Sequence, residues 1–196
     1  MDSHLLAAKL RFFGHKELQL TMESERLKLF PPSLDHQPQM LEAIIESKDE
    51  LSVFLPWVKY SLTTEESVEN AKQAISNFEN FEGELRFSIF EKASKSFIGA
   101  IGLIIVDKDI PYFEIGYWLR SSHTGKGYMT EAVKLIEGYA FNELNAKRIE
   151  IKASDLNAKS FSVAIRCGYS FEGKLINHRK LPSGKIGNTV VYAKTI

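Results

Sequence analysis

The chain has 196 residues, 44% of them hydrophobic and 26% charged, which fits one soluble globular domain with a real core. Its 25 lysines and arginines balance 25 aspartates and glutamates, so nucleic-acid binding driven by bulk charge is not expected. A single cysteine, Cys167, excludes an internal disulfide and a cysteine zinc cluster.

No apolar run reaches the ~20 residues that span a membrane. Met1 to Ala8 has no basic region leading into an apolar core, so no signal peptide is expected. The cytoplasm is the expected compartment. Residues 1–24 carry Leu5, Leu6, Leu10, Phe12 and Phe13. They are open to three readings: a short amphipathic helix, an added strand, or a partner-binding extension. Arg26–Phe30 alternates apolar and polar, as a half-buried strand does, and Pro31-Pro32 ends it. Asp35–Glu50 reads as a helix with Met40, Leu41, Ile44 and Ile45 on one face. Leu51–Tyr60, with Phe54, Pro56, Trp57 and Tyr60, reads as an aromatic-rich loop or broken helix. Thr63 and Glu66 have capping-box spacing and start a helix running to about Phe81.

After Gly83 the period changes to two. Glu84–Phe90 alternates as a strand. Phe97–Val106 is almost continuously apolar, as a strand covered on both faces would be, and Gly99 and Gly102 leave room for close approach. With Tyr112–Leu119 these make an antiparallel meander. A helix over about 126–142 buries Met129, Val133, Ile136, Ala140 and Leu144, and Asn145 is its end signal. Arg148–Lys152 is a strand. Asn157 caps a short helix that stops near Cys167-Gly168. Tyr169–Leu175 and Asn188–Lys194 are strands, the second closing a hairpin over the turn 181–185. No repeat or linker divides the chain.

The stretch Glu114–Ala132 organises the rest. It reads as a buried strand, a loop with Gly125 and Gly127, and a helix start. Helix N-termini leave backbone N–H groups unpaired, and glycine lets that backbone approach an anion closely. The loop is either a phosphate site or only a tight turn.

Several cues then fall in order: Phe113-Glu-Ile-Gly-Tyr-Trp-Leu119, Gly125-Lys-Gly-Tyr-Met-Thr-Glu-Ala132, Tyr139-Ala-Phe141, Lys147-Arg-Ile-Glu150, Asn157-Ala-Lys-Ser160 and Cys167-Gly-Tyr-Ser-Phe-Glu-Gly173. Together they resemble the GNAT superfamily of acetyl-CoA-dependent N-acetyltransferases, in the branch of ribosomal-protein N-terminal acetyltransferases called RimJ/RimL. The resemblance covers residues 25–196 as one domain, with 1–24 an extension of unknown role. It implies an α/β (α+β) GNAT fold: a twisted, mixed, mostly antiparallel sheet of about seven strands flanked by about four helices.

The resemblance also implies a site. The glycine loop, with the amides of His123, Thr124, Gly125, Lys126, Gly127 and Tyr128, would hold the pyrophosphate of acetyl-CoA. The family pattern places Gln or Arg where this chain has Ser122. Lys126 either adds charge there or is simply solvated. The pantetheine arm would lie between two splayed strands, against backbone groups near Trp118 and Leu119. Glu114 is the candidate base for the attacking amine, or else a strand glutamate paired with a neighbouring Arg or Lys. Asn157 and Ser160 match an Asn-x-x-Ser pattern, which implies a cofactor contact for Asn157 and an acid or hydrogen-bonding role for Ser160. An N-cap followed by a first-turn serine explains the same residues. Relatives that use a tyrosine acid carry it in this helix, where this chain has none between Asn157 and Gly168. Trp57 is either a packing residue or a wall of the acceptor groove. His178 and Arg179 either line the acceptor pocket or end a solvated strand. Cys167 reads as a packed thiol.

The function expected is acetyl transfer to a primary amine by direct attack in a ternary complex, with a protein N-terminus as acceptor. The alternatives are a small amine acceptor (antibiotic, polyamine or amino acid) and a non-catalytic module that binds coenzyme A or a partner. No metal, membrane or direct nucleic-acid partner is expected, and a homodimer is compatible with this branch.

Overall fold

The computed structural model describes residues 21–196. The readings of Leu5, Leu6, Leu10, Phe12 and Phe13 therefore lie outside the described residues. Leu27 and Leu29 are fully buried and alternate with half-exposed Lys28 and Phe30, which makes β2 (Leu27–Phe30). A two-residue strand, β1 (Met22–Glu23), pairs with it and sets buried Met22 opposite Leu29.

The helix expected over 35–50 is broken. A 3-10 turn (Leu34–His36) leads into α1 (Gln37–Glu46), whose first turn holds Pro38, where a missing N–H costs nothing. Ser47 leaves the helical region, and α2 (Lys48–Ser52) follows as a separate turn. The Ser47 hydroxyl has another task, accepting the backbone N–H of Ser121 at 2.9 Å. Met40 and Ile44 face inward, but Ile45 is exposed, so the apolar stripe is narrower than the sequence suggested. Next, α3 (Thr64–Asn80) begins with both bonds of the capping box: Glu66 N–H to Thr63 Oγ1, and Thr63 N–H to Glu66 Oε2.

The strands β3 (Glu84–Glu91), β4 (Phe97–Asp107) and β5 (Tyr112–Leu119) form the expected meander. Burial of β4 is continuous from Phe97 to Leu103 because helices cover both faces there. Helix α4 (Tyr128–Asn142) follows the glycine loop and buries Met129, Val133, Ile136 and Ala140. Strand β6 (Arg148–Ser154), helix α5 (Ala158–Arg166), and the hairpin β7 (Ser170–Lys180) and β8 (Ile186–Thr195) complete the chain. Among the described residues there are eight strands and five α-helices, against the seven and four expected; β1 and α2 are the additions.

The sheet order is β1-β2-β3-β4-β5-β6-β8-β7. Every neighbouring pair is antiparallel except β5 and β6. One face carries the larger core, where Phe87, Ile101, Phe113 and Ile115 pack against α4 and against Val163 and Ala164 of α5. The other carries a smaller core of Met40, Ala43, Ile44, Ala71 and Phe97, flanked by Trp57 and Trp118. Phe87, Phe97 and Phe113 are fully buried, and each such side chain contributes roughly 1.5–3 kcal/mol.

Gly99 lies where β4 meets the end of β5. A Cβ there would collide with the carbonyl oxygen of Trp118 and lie 3.0 Å from Leu119 Cα. Backbone cannot step aside as a side-chain tip can. Gly99→Ala is expected to destabilise the fold by roughly 1–3 kcal/mol, read as a lower denaturant midpoint at unchanged slope.

Candidate active site

The parallel pair β5–β6 lasts only three residues, Tyr112–Glu114 against Arg148–Glu150. Beyond Glu114 the two strands part. Their separated ends form a cleft, continuous with a cavity of ≈ 1680 Å³. Single ligand pockets usually measure about 300–1,000 Å³, so there is room for two reactants. Trp57, Glu114, Trp118, Leu119, Thr124, Gly125, Gly127, Tyr128, Asn157 and Ser160 all line it. His123 and Lys126 do not.

At one end stands the glycine loop. The amides of His123 and Thr124 are already used: they donate to the carbonyls of Arg120 and Ser121 in a 3-10 turn. The unpaired amides start two residues later than expected, and those of residues 125–130 have no backbone partner among the described residues. Gly125 and Gly127 have φ of +77° and +81°, a region other residues enter at a cost. Nothing lies within 4 Å of a Cβ position on Gly125, so this edge is open to a ligand. Free amides at the positive end of a fifteen-residue helix, on an open backbone, fit a pyrophosphate. Lys126 is exposed, and its carbonyl accepts from Arg26.

The loop is braced from both sides. Arg120 reaches Glu42 and Glu46 of α1 at 2.6 Å each. The Arg120 hydrogen bond holds the Glu46 carboxyl down at about 2, with Ser122 adding to it. On the other side, Arg26 bonds Glu131 of α4 at 2.8 Å through Nε and the Lys126 carbonyl at 3.0 Å. His123 sits against Tyr128, and burial keeps its pKa below the usual value.

At the fork, Glu114 Oε2 accepts from Lys152 Nζ at 3.1 Å. Lys152 is also ion-paired with buried Glu150, which in turn bonds Arg148 at 3.2 Å. Burial pulls the Lys152 pKa down, but the two carboxylates outweigh it and raise it overall. Lys152 therefore stays charged through neutral pH. The pairing weighed for Glu114 from sequence is thus present.

Asn157 is the N-cap of α5: its Oδ1 accepts the Ser160 N–H at 3.1 Å. Sequence reasoning missed the partner of Ser160. Tyr117 donates to the Ser160 carbonyl at 2.8 Å, while Ser160 Oγ lies 3.2 Å from the same phenol oxygen. Tyr117 has one proton and a carbonyl only accepts, so in the second contact Ser160 donates. Burial pushes the Tyr117 phenol up to about 12, so it remains protonated. No local pattern links positions 43 residues apart. Opposite, Trp57 and Trp118 lie with ring centroids 6.0 Å apart and form the apolar wall.

Arg179 also lines the cavity, with Nε donating to Thr189 Oγ1 at 2.7 Å. Burial lowers its pKa, against the pull of Glu114 and Asp155. His178 instead contacts Thr189 outside the main cavity. Cys167 is buried and contacts the Thr130 carbonyl at 3.6 Å. Burial raises its thiol pKa, which keeps it a packed thiol rather than a thiolate.

The family profile described as "Acetyltransferase (GNAT) domain" matches residues 26–170. The chain belongs to the GNAT acetyltransferase family. Among relatives, the uncharacterized N-acetyltransferase p20 of Bacillus licheniformis is 37% identical over 95 residues, covering 48% of this chain and 53% of that protein. The ribosomal-protein-serine acetyltransferase of Escherichia coli K12 is 26% identical over 152 residues, covering 78% of this chain and 83% of that protein. Among solved structures, the microcin C7 self-immunity acetyltransferase MccE, in complex with acetyl-CoA and AMP, superposes with a TM-score of 0.81 at 28% identity. That match covers 88% of this chain and 94% of that one. The matched stretch thus spans about half the length of the Bacillus licheniformis relative. Among the described residues of this GNAT chain, no helix is long and apolar enough to cross a membrane.

Gly127→Glu places a carboxylate and a strained left-handed residue at the head of α4. We expect coenzyme A binding to be lost in calorimetry, while the fold survives with about 1–2 kcal/mol less stability. Retained binding would remove the loop from the cofactor site.

Proposed function

We propose that this protein transfers the acetyl group of acetyl-CoA to a primary amine by direct attack within a ternary complex. One observation carries the reading: a parted parallel strand pair joins free helix-terminal amides at one end to a carboxylate-lined groove at the other. The loop amides hold the pyrophosphate, and the arm lies in the cleft against Trp118 and Leu119. Holding both reactants in this geometry supplies most of the rate.

The amine must be neutral to attack. Glu114 accepts its proton, directly or through a water, and Lys152 fixes the carboxylate at the fork. Ser160 supports the leaving thiolate by hydrogen bonding. Its proton points at Tyr117, so this role requires the hydroxyl to turn toward the sulfur while Tyr117 holds the Ser160 backbone in place.

For the acceptor we favour a protein N-terminus. The support is the relative that acts on a ribosomal-protein serine and a groove that opens beside the Trp57 wall. A small-molecule acceptor is the second reading, since the MccE structure contains AMP beside acetyl-CoA. Thiol release from acetyl-CoA across peptides and small amines separates the two. Turnover confined to small amines would sink the first, and turnover with no amine would sink both.

Glu114→Gln is expected to lower kcat by about 10²–10⁴-fold and flatten the acidic limb of the pH–rate profile, with coenzyme A affinity unchanged. An unaltered profile would exclude Glu114 as the base.

A further inference from the structure

On the groove face of the sheet, residues in register form rows across the strands. One row runs Glu84, Ile104, Glu114 and Glu150. The next runs Arg86, Gly102 and Gly116. Two glycines side by side remove the side chains from the middle of the floor and leave a trough. Glu84 lies across it. A Cβ on Gly102 would collide with Glu84 Oε1 and lie 2.8 Å from its Cγ and Cδ. A Cβ on Gly116 would lie 4.0 Å from the same oxygen.

The carboxylate is fixed in place. Arg86 donates to Oε2 through Nε at 3.0 Å and through Nη2 at 2.8 Å. Its Nη1 donates to Asn70 Oδ1 of α3 at 2.6 Å. Both guanidinium bonds fall on one oxygen. Oε1 makes no hydrogen bond among the described residues and points over the trough. The neighbouring carboxylates of the row are more fully engaged, because Glu150 is held by Arg148 and Lys152, and Glu114 shares Lys152. The side chain of Glu84 is three-quarters buried, so a cation meeting it is poorly screened by water.

We propose that Glu84 Oε1 receives the ammonium of the incoming acceptor amine. The inference rests on the acetyl-transfer reading and deepens it. An ammonium carries three donors and needs acceptor oxygens wherever it leaves water. Oε1 offers one over the glycine floor, with Ile104 as an apolar neighbour and Glu114 in the same row two strands away. The amine is thus captured as a cation by Glu84 before it loses a proton at the fork. Glu84 is an acceptor-binding residue, distinct from the base.

The test compares wild-type protein with Glu84→Gln and Gly102→Ala. The acceptors are serine- and alanine-initiated peptide amides, spermidine and an amino-acid amide. Glu84→Gln should raise KM for an accepted amine about tenfold or more, as loss of a charged hydrogen bond implies, while kcat and the acetyl-CoA KM move less than about twofold. Gly102→Ala keeps the carboxylate but displaces it, and should raise acceptor KM in the same way. Calorimetry on the coenzyme A-loaded protein supplies a readout without turnover. There Glu84→Gln should weaken the free amine and leave its N-acetylated form unaffected. Wild-type turnover with unchanged acceptor KM and affinity in both variants would overturn this inference alone. A loss of kcat at constant KM would also overturn it. Absence of wild-type turnover on every amine would overturn the acetyl-transfer reading and this inference with it.

Discussion

Strands β5 and β6 share a parallel ladder from Tyr112 to Glu114 and from Arg148 to Glu150, and then separate. Most of the site depends on this short pairing. A continuous ladder would consume the backbone groups of residues 115–119 that point away from β4 and close the cleft. Parting leaves these groups facing open space, which is tolerable only where a ligand or water meets them. The helices that follow each strand, α4 and α5, pack on one face and hold the ends apart. The sheet is kept whole on either side by the meander and by the long β6–β8 pairing.

Electrostatics at the fork follow from the same register. Glu114 and Glu150 stand directly opposite, and two carboxylates so close repel. Lys152, one step further on β6, neutralises both, and Arg148 holds Glu150 from the other side. Removing Lys152 would leave a buried carboxylate short of a partner, a costly state. Glu114 is therefore held in position by a group whose main task is Glu150. Of the two sequence readings of Glu114, the paired strand glutamate is thus present at the fork.

Much of the fold was legible. Period-two alternation placed β3, the apolar run placed β4, and the heptad-like spacing of Met129, Val133, Ile136 and Ala140 placed α4. The glycine loop and the Asn157 cap were legible for the same reason: they are local, and local chemistry leaves local patterns. The break at Ser47 was not, because the hydroxyl that matters there serves Ser121, 74 positions away. Tyr117 was hidden from Ser160 likewise, and Arg26 from Glu131. Gly102 showed its presence in sequence but not its purpose, since only the folded register puts Glu84 over it.

Arg120 joins two parts of the cavity wall that lie far apart in the sequence. Its guanidinium grips Glu42 and Glu46 on α1, while its own backbone begins the glycine loop. Helix α1 contributes Met40 and Ile44 to the lining of the cavity. The glycine loop and α1 are thus tied by one side chain. A ligand that moved the loop would bias α1 through this tether, and linkage would require the effect to be returned in equal measure.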